Sequence, residues 1–166
     1  VADRAGDLAR VLAEEAGKPI RQARGEVARC VDTLTFSAAV ARTMSGEVIP
    51  MDAADSGAGM LGTTVREPIG VIAAITPFNF PLNLVAHKLG PAAAVGAPVV
   101  LKPAGKAPLS GLALAAIMRE AGLPPGLLGW VLGDALAGEP LTAHPDVSMV
   151  SFTGSSAVGW VIRAQR

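Results

Sequence analysis

The residues best suited to chemistry stand together in Ile75-Thr76-Pro77-Phe78-Asn79-Phe80-Pro81-Leu82. An asparagine between two prolines is an uncharged amide donor on a stiff backbone, a group able to meet a developing oxyanion. Asparagine also serves plain turns, because it tolerates unusual backbone angles and bonds to its own main chain. The run before it, Pro68 to Ile75, is apolar without alternation, as expected of a strand covered on both faces in a parallel sheet. Pro81 suits the first turn of a following helix, where its missing N–H is no loss. Ligands of open α/β sheets bind beyond the carboxyl ends of the strands, and this order places Asn79 there.

Two further segments carry candidate binding groups. Lys102 closes a second apolar run, Pro98 to Lys102, and Pro103 makes the chain leave stiffly, so the ammonium is expected to point into the crevice. A solvated lysine at a strand end is the plainer reading. Phe152-Thr153-Gly154-Ser155 joins a strand to a helix start, where amides without internal partners attract anions and a glycine allows close approach. An ordinary turn with a serine cap looks the same. No G-x-G-x-x-G follows a strand. Cys30 lies on the apolar face of a helix, with no histidine or helix start nearby to activate it, and reads as a small buried hydrophobe. His87 and His144 read as ordinary helix and loop residues.

These groups need a scaffold, and the periodicities supply one. Val1 to Gly17 shows helical spacing in Leu8, Val11, Leu12 and Ala16. A second helix, with Ile20, Ala23, Val27, Cys30, Val31, Leu34, Ala38 and Ala41 on one buried face, is expected to end near Gly46. Gly46–Pro50 and Leu61–Arg66 read as short strands of an exposed hairpin. From Pro68 strands alternate with helices: strands over Pro68–Ile75, Pro98–Lys102, Leu127–Val131 and Val147–Phe152, helices from near Pro81, Pro108, Leu136 and Ser155. The expected fold class is α/β, a Rossmann-like parallel sheet with flanking helices, two amino-terminal helices and a protruding hairpin arm. Its parts are 1–45 (helices), 46–67 (hairpin) and 68–166 (the Rossmann-like core).

Composition narrows the function. The 166 residues balance 14 Lys+Arg against 14 Asp+Glu with no basic block, which gives no support for binding nucleic acid or an anionic membrane. From Pro68 to Met118 there is no acid, which suits an anionic ligand and equally suits buried strands and alanine-rich helices. No apolar stretch is long enough for a membrane span. A single cysteine fits a reducing compartment, and a cytoplasmic location is expected. The chain begins with Val and stops at Arg166 inside an apparent helix, so a piece of a longer protein is expected.

Three blocks, ITPFNFPLNLVAHKLGPAAAVG from Ile75, VVLKPAGKAPLS from Val99 and FTGSSAVG from Phe152, resemble the aldehyde dehydrogenase superfamily in order and spacing. The resemblance runs through nearly the whole chain. It implies NAD or NADP as cofactor and a small-molecule aldehyde as substrate. It implies that Asn79 gives one hydrogen bond to the oxyanion formed when a cysteine thiolate attacks, and that a glutamate activates the hydrolytic water. By the same resemblance Thr76, Pro77 and Phe78 border the nicotinamide half, and Lys102 bonds to the adenosine ribose beside Ala104 and Gly105. Gly133 and Gly138 line the adenine side, in a loop whose spacing departs from the commoner pattern. Phe152, Thr153, Gly154, Ser155 and Val158 belong to the block that holds the pyrophosphate. The arm matches one through which family members add strands to a neighbouring subunit, implying a homo-oligomer.

The family often has a glutamate at the position of Gly105, so this chain lacks one carboxylate that would repel a 2′-phosphate. The family's cysteine and glutamate lie beyond the FTGS block. The chain therefore resembles the amino-terminal, cofactor-binding part of an aldehyde dehydrogenase, inactive alone. The alternative is a truncated relative serving as a non-catalytic binding or assembly subunit, which reading the coding region past Arg166 would distinguish. An acylating or acyl-phosphate-reducing relative is disfavoured by Asn79 in its Pro-Phe-Asn-Phe-Pro setting.

Overall fold

A computed structural model describes residues 1–165; Arg166, where the sequence places the chain end inside a helix, lies outside the described residues. Helix α1 (Ala5–Ala16) stops at Gly17, and α2 (Ile20–Thr43) starts after Pro19. Strands β1 (Val48–Ile49) and β2 (Gly62–Thr63) pair antiparallel as the hairpin. There follow β3 (Val71–Ile75), α3 (Asn83–Val95), β4 (Val99–Lys102), α4 (Leu109–Glu120), β5 (Leu128–Trp130), α5 (Ala135–Ala143), β6 (Val147–Phe152) and α6 (Ser156–Ala164).

The four core strands form a parallel sheet in the order β5-β4-β3-β6. Sheet growth runs one way from β3 through β4 to β5, then returns to the far side of β3. Right-handed crossovers therefore send α5 to the face opposite α3 and α4. Helices α1 and α2 pack on α4 and α3. Between them lies the core, in which Leu8, Leu12, Val27, Val85, Leu89, Leu101 and Leu114 are buried. Each such leucine contributes about 1.5–3 kcal/mol relative to exposure.

The sequence reading needs correction at three places. Strand β3 starts at Val71 rather than Pro68: Pro68 has no N–H for the ladder and Gly70 has φ 113°. The buried face of α2 stops at Cys30, leaving Ile20, Ala38 and Ala41 exposed. Past Cys30 the helix still runs beside α3, but a cavity opens between them, lined by Ala41 and Met44 on one side and by Pro91 and Val95 on the other. Pro81 lies in the turn before α3 rather than in its first turn.

The amino ends of α3 and α4 are capped from the other layer. Glu26 of α2 accepts from Leu82 N at 2.9 Å and Asn83 N at 3.0 Å. Glu15 of α1 accepts from Ser110 N at 3.0 Å and from Leu109 N. Amides at a helix start have no internal partner, so each carboxylate both satisfies donors and meets the positive end of the helix dipole.

Candidate active site

Register aligns the strand ends. Ile75 stands beside Lys102 on one side and Phe152 on the other, and Leu101 beside Trp130. The stitching continues one residue further, with Thr76 N donating to Lys102 O (3.3 Å) and Thr153 N to Ile75 O (3.1 Å). Every candidate residue from the sequence stands at one of these ends or follows it. The reversal of sheet growth between β3 and β6 is a topological switch point, where open α/β sheets bind ligands.

Asn79 sits at this end with both its oxygens engaged. Its Oδ1 accepts from Phe80 N at 3.1 Å, and its backbone O accepts from Lys18 Nζ at 2.8 Å. Asn79 is exposed and, among the described residues, nothing takes a bond from Nδ2, so this amide donor is open to solvent or to a ligand. The turn role and the donor role therefore coexist. Lys18 also pairs with the Glu26 carboxylate that caps α3. Glu26 is only 2% exposed and escaped the sequence reading; the available signal was an acid on the stripe of Ala23, Val27 and Cys30. Thr76 is buried, and its Oγ1 has no partner among the described residues, an unusual state for a buried hydroxyl.

Lys102 is buried, and its Nζ donates to Gly133 O at 2.9 Å. The ammonium thus spans the gap between the β4 and β5 loops instead of standing free in the crevice. Burial pulls its pKa down, and the Asp134 carboxylate partly offsets this. Gly133 has φ 143°, and a Cβ there would approach that of Ala137 to 2.7 Å, so a side chain is excluded. Gly138 packs on the Lys102 stem, where an added Cβ would lie 3.5 Å from Cε. Gly105, Lys106, Pro108, Leu132, Gly133 and Asp134 line a cleft of about 480 Å³. Lys106 Nζ lies 5.3 Å from the centre of the Phe78 ring, linking this cleft to the β3 loop. Ala104 is half-buried beside them. Asp134 was not foreseen; its Oδ1 accepts from Leu136 N at 2.9 Å and caps α5.

After β6, Ser155 caps α6 by accepting from Val158 N at 3.4 Å, and the first amides of α6 are left for a ligand. A Cβ on Gly154 would come within 2.4 Å of the Phe152 ring, so the ring packs on this position and a side chain is excluded. Thr153 Oγ1 accepts from Lys88 Nζ at 2.9 Å, and Ser151 Oγ lies 3.1 Å from the same nitrogen. Lys88, with its pKa lowered by burial, was also missed. A cation within the apolar run Val85–Ala92 was its only signal.

These groups fit a dinucleotide. The orphaned Thr76 hydroxyl and the open amides of α6 suit sugar and pyrophosphate oxygens, and the cleft beyond Lys102 suits a ribose and base. A larger cavity, about 730 Å³, is lined by Met44, Arg66, Ile69, Lys88 and Met149 among others, and reaches neither Asn79 nor Lys102. Converging polar atoms rather than size mark the site. Cys30 takes no part: it is wholly buried, and its thiol is pushed up to about 12 by burial and then by the Glu26 carboxylate, with the amino terminus opposing. Among the described residues no group of three His, Cys, Asp or Glu could hold a metal, and no helix is long and apolar enough to cross a membrane.

Sheet order, switch-point loops and a capped helix start after β6 define a Rossmann-like α/β domain. The sequence model of the aldehyde dehydrogenase family matches residues 1–166, and the chain belongs to that family. It is 51% identical over 160 residues to the 3-sulfolactaldehyde dehydrogenase of Priestia aryabhattai, covering 96% of this chain and 34% of that protein. It is 50% identical over 152 residues to aspartate-semialdehyde dehydrogenase 1 of Pseudomonas canavaninivorans, covering 92% and 32%. The crystal structure of glyceraldehyde-3-phosphate dehydrogenase from Methanocaldococcus jannaschii complexed with NADP superposes with a TM-score of 0.90 at 42% identity, covering 99% and 36%. The chain thus spans about a third of the length of these relatives.

Proposed function

We propose that this chain is the amino-terminal, cofactor-binding part of an enzyme that oxidises an aldehyde to a carboxylic acid with NAD or NADP. The observation that carries the proposal is the uncommitted Nδ2 of Asn79 on a pinned loop, beside the unpaired Thr76 hydroxyl at the switch point. When bound, the nicotinamide supplies a hydride acceptor. Asn79 donates to the oxyanion that forms as a thiolate from outside these residues adds to the aldehyde carbonyl. A preorganised donor of this kind acts where charge develops and not in the ground state. Thr76, Pro77 and Phe78 border the nicotinamide half. Lys102, Ala104 and Gly105 hold the adenosine ribose, and Gly133 and Gly138 shape the adenine side. The α6 start, with Phe152 to Ser155 and Val158, receives the pyrophosphate.

A homo-oligomer built through the arm, where Val48 and Leu61 are exposed, and a cytoplasmic location belong to the same proposal. So does the absence of nucleic-acid and membrane partners. The names of both curated relatives specify aldehydes that bear an acidic group, which are the substrates to assay first.

The isolated 166-residue chain is expected to oxidise no aldehyde with either cofactor, because its one thiol is buried and protonated. Turnover above that of a Cys30→Ala control would overturn this reading. The full-length enzyme is expected to use NADP within about tenfold of NAD, since Gly105 contributes no carboxylate against a 2′-phosphate while Lys102 and Lys106 lie near. Gly105→Glu should move the preference toward NAD by about tenfold or more. An added Cβ would lie 3.4 Å from Gly133 O, a contact the exposed loop can absorb. Titrating both cofactors against parent and variant decides it, and strict NAD use by the parent would assign the choice to Asp134 or another group.

A further inference from the structure

We propose that Lys18 and Glu26 form a positioning pair that sets the catalytic loop, so that the amino-terminal helices act on turnover without touching substrate. The proposal rests on Asn79 being the oxyanion donor. Lys18, in the link between α1 and α2, donates to the carbonyl of Asn79 at 2.8 Å and pairs with the Glu26 carboxylate. Glu26 in turn accepts from the amides of Leu82 and Asn83 at 2.9 and 3.0 Å. One buried ion pair therefore grips both ends of the segment from Asn79 to Asn83. Lys18 Nζ also lies 4.3 Å from the centre of the Phe80 ring, holding the residue whose N–H fixes Asn79 Oδ1.

Three features separate this pair from an ordinary surface bridge. The two side chains are 11% and 0% exposed, so solvent and salt screen the pair little. Lys18 bonds to the main chain of the donor residue itself, 61 positions away. With the carbonyl and Oδ1 of Asn79 both held, the direction of Nδ2 follows from the backbone that Lys18 fixes. A displacement of about 1 Å in such a group can lower turnover on the order of a hundredfold.

A double-mutant cycle on the full-length enzyme tests the pair, with kcat and the cofactor Kd measured for Lys18→Met, Asn79→Ala and both together. Lys18→Met is expected to lower kcat by about tenfold or more while the cofactor Kd stays within about twofold. In the Asn79→Ala background the same change should cost less than about twofold, because a residue acting only through Asn79 has nothing left to position. Lys18→Arg, which keeps the charge and donors, should recover most of the loss. Lys18→Gln runs through the same cycle, so a folding failure of the methionine variant leaves the comparison intact. Additive losses, or an unchanged kcat in Lys18→Met, would overturn the positioning role while leaving Asn79 in place. An unchanged kcat in Asn79→Ala alone would remove the reading on which the pair rests, and the pair with it.

Discussion

Asn79→Ala in the full-length enzyme is expected to lower kcat by about 10²–10³, equivalent to about 3–4 kcal/mol of transition-state stabilisation, with little change in cofactor affinity. The substitution removes Nδ2, the polar atom that no described residue engages. It also removes Oδ1, which only organises the adjacent turn at Phe80 N. Lys18 still holds the Asn79 backbone carbonyl, so the loop has reason to stay where it is. Asn79→Asp sharpens the test, because a carboxylate can bond to Phe80 N but repels an oxyanion, and it should be at least as slow as alanine. Lys102→Ala is the opposite control. It removes a buried ammonium bonded to Gly133 O and should raise the cofactor Kd by about tenfold or more, the effect of losing a charged hydrogen bond. Equal turnover in parent and Asn79→Ala would exclude Asn79 from the chemistry.

Glu26→Ala is expected to destabilise the fold by about 3–5 kcal/mol, the range for removing one partner of a buried ion pair. The carboxylate satisfies the amides of Leu82 and Asn83 and neutralises Lys18, whose side chain is 11% exposed. Alanine would strand both amides and leave the ammonium, still bonded to Asn79 O, without its counter-charge in a setting that admits little water. Glu26→Gln keeps an acceptor for the amides but turns a neutral amide toward the ammonium, and should lose about 1.5–3 kcal/mol. Denaturant titration of the three proteins measures both differences. A loss below about 1 kcal/mol in Glu26→Ala would mean that the pair is screened as a surface bridge is. The same variant should lower the Cys30 pKa, since the carboxylate is one of the groups holding it up.

Strand β6 was read from the sequence with both ends right, Val147 to Phe152, since Pro145 precedes it and Thr153-Gly154 breaks it. Helix α4 begins one residue after Pro108, and β1 and β2 fall within the two short strands read for the arm. The errors have a common form. Pro68 and Ile69 looked like strand because they are apolar, yet they lack neighbours on the sheet. Ala38 and Ala41 looked buried because their spacing continued, yet both are exposed, Ala41 on the wall of an open cavity it shares with Pro91 and Val95 of α3. Period and composition report what a segment can bury, not what stands beside it.

The site divides along the same line. That Asn79, Lys102 and Gly154 leave strand ends could be told from the chain, because apolar runs and the prolines and glycines that close them are local signals. That these ends lie abreast depends on parallel register, and register joins Ile75 to Lys102 and to Phe152 across many intervening residues. The partners of the functional groups were further from view. Lys18 reaches Asn79 across 61 positions, Glu26 reaches Leu82 across 56, and Lys88 reaches Thr153 across 65. A charged residue on an apolar stripe announces that some partner must exist, because a buried charge is costly without one. Which partner it finds is settled by how the helices pack on the sheet, and sequence spacing holds no record of that.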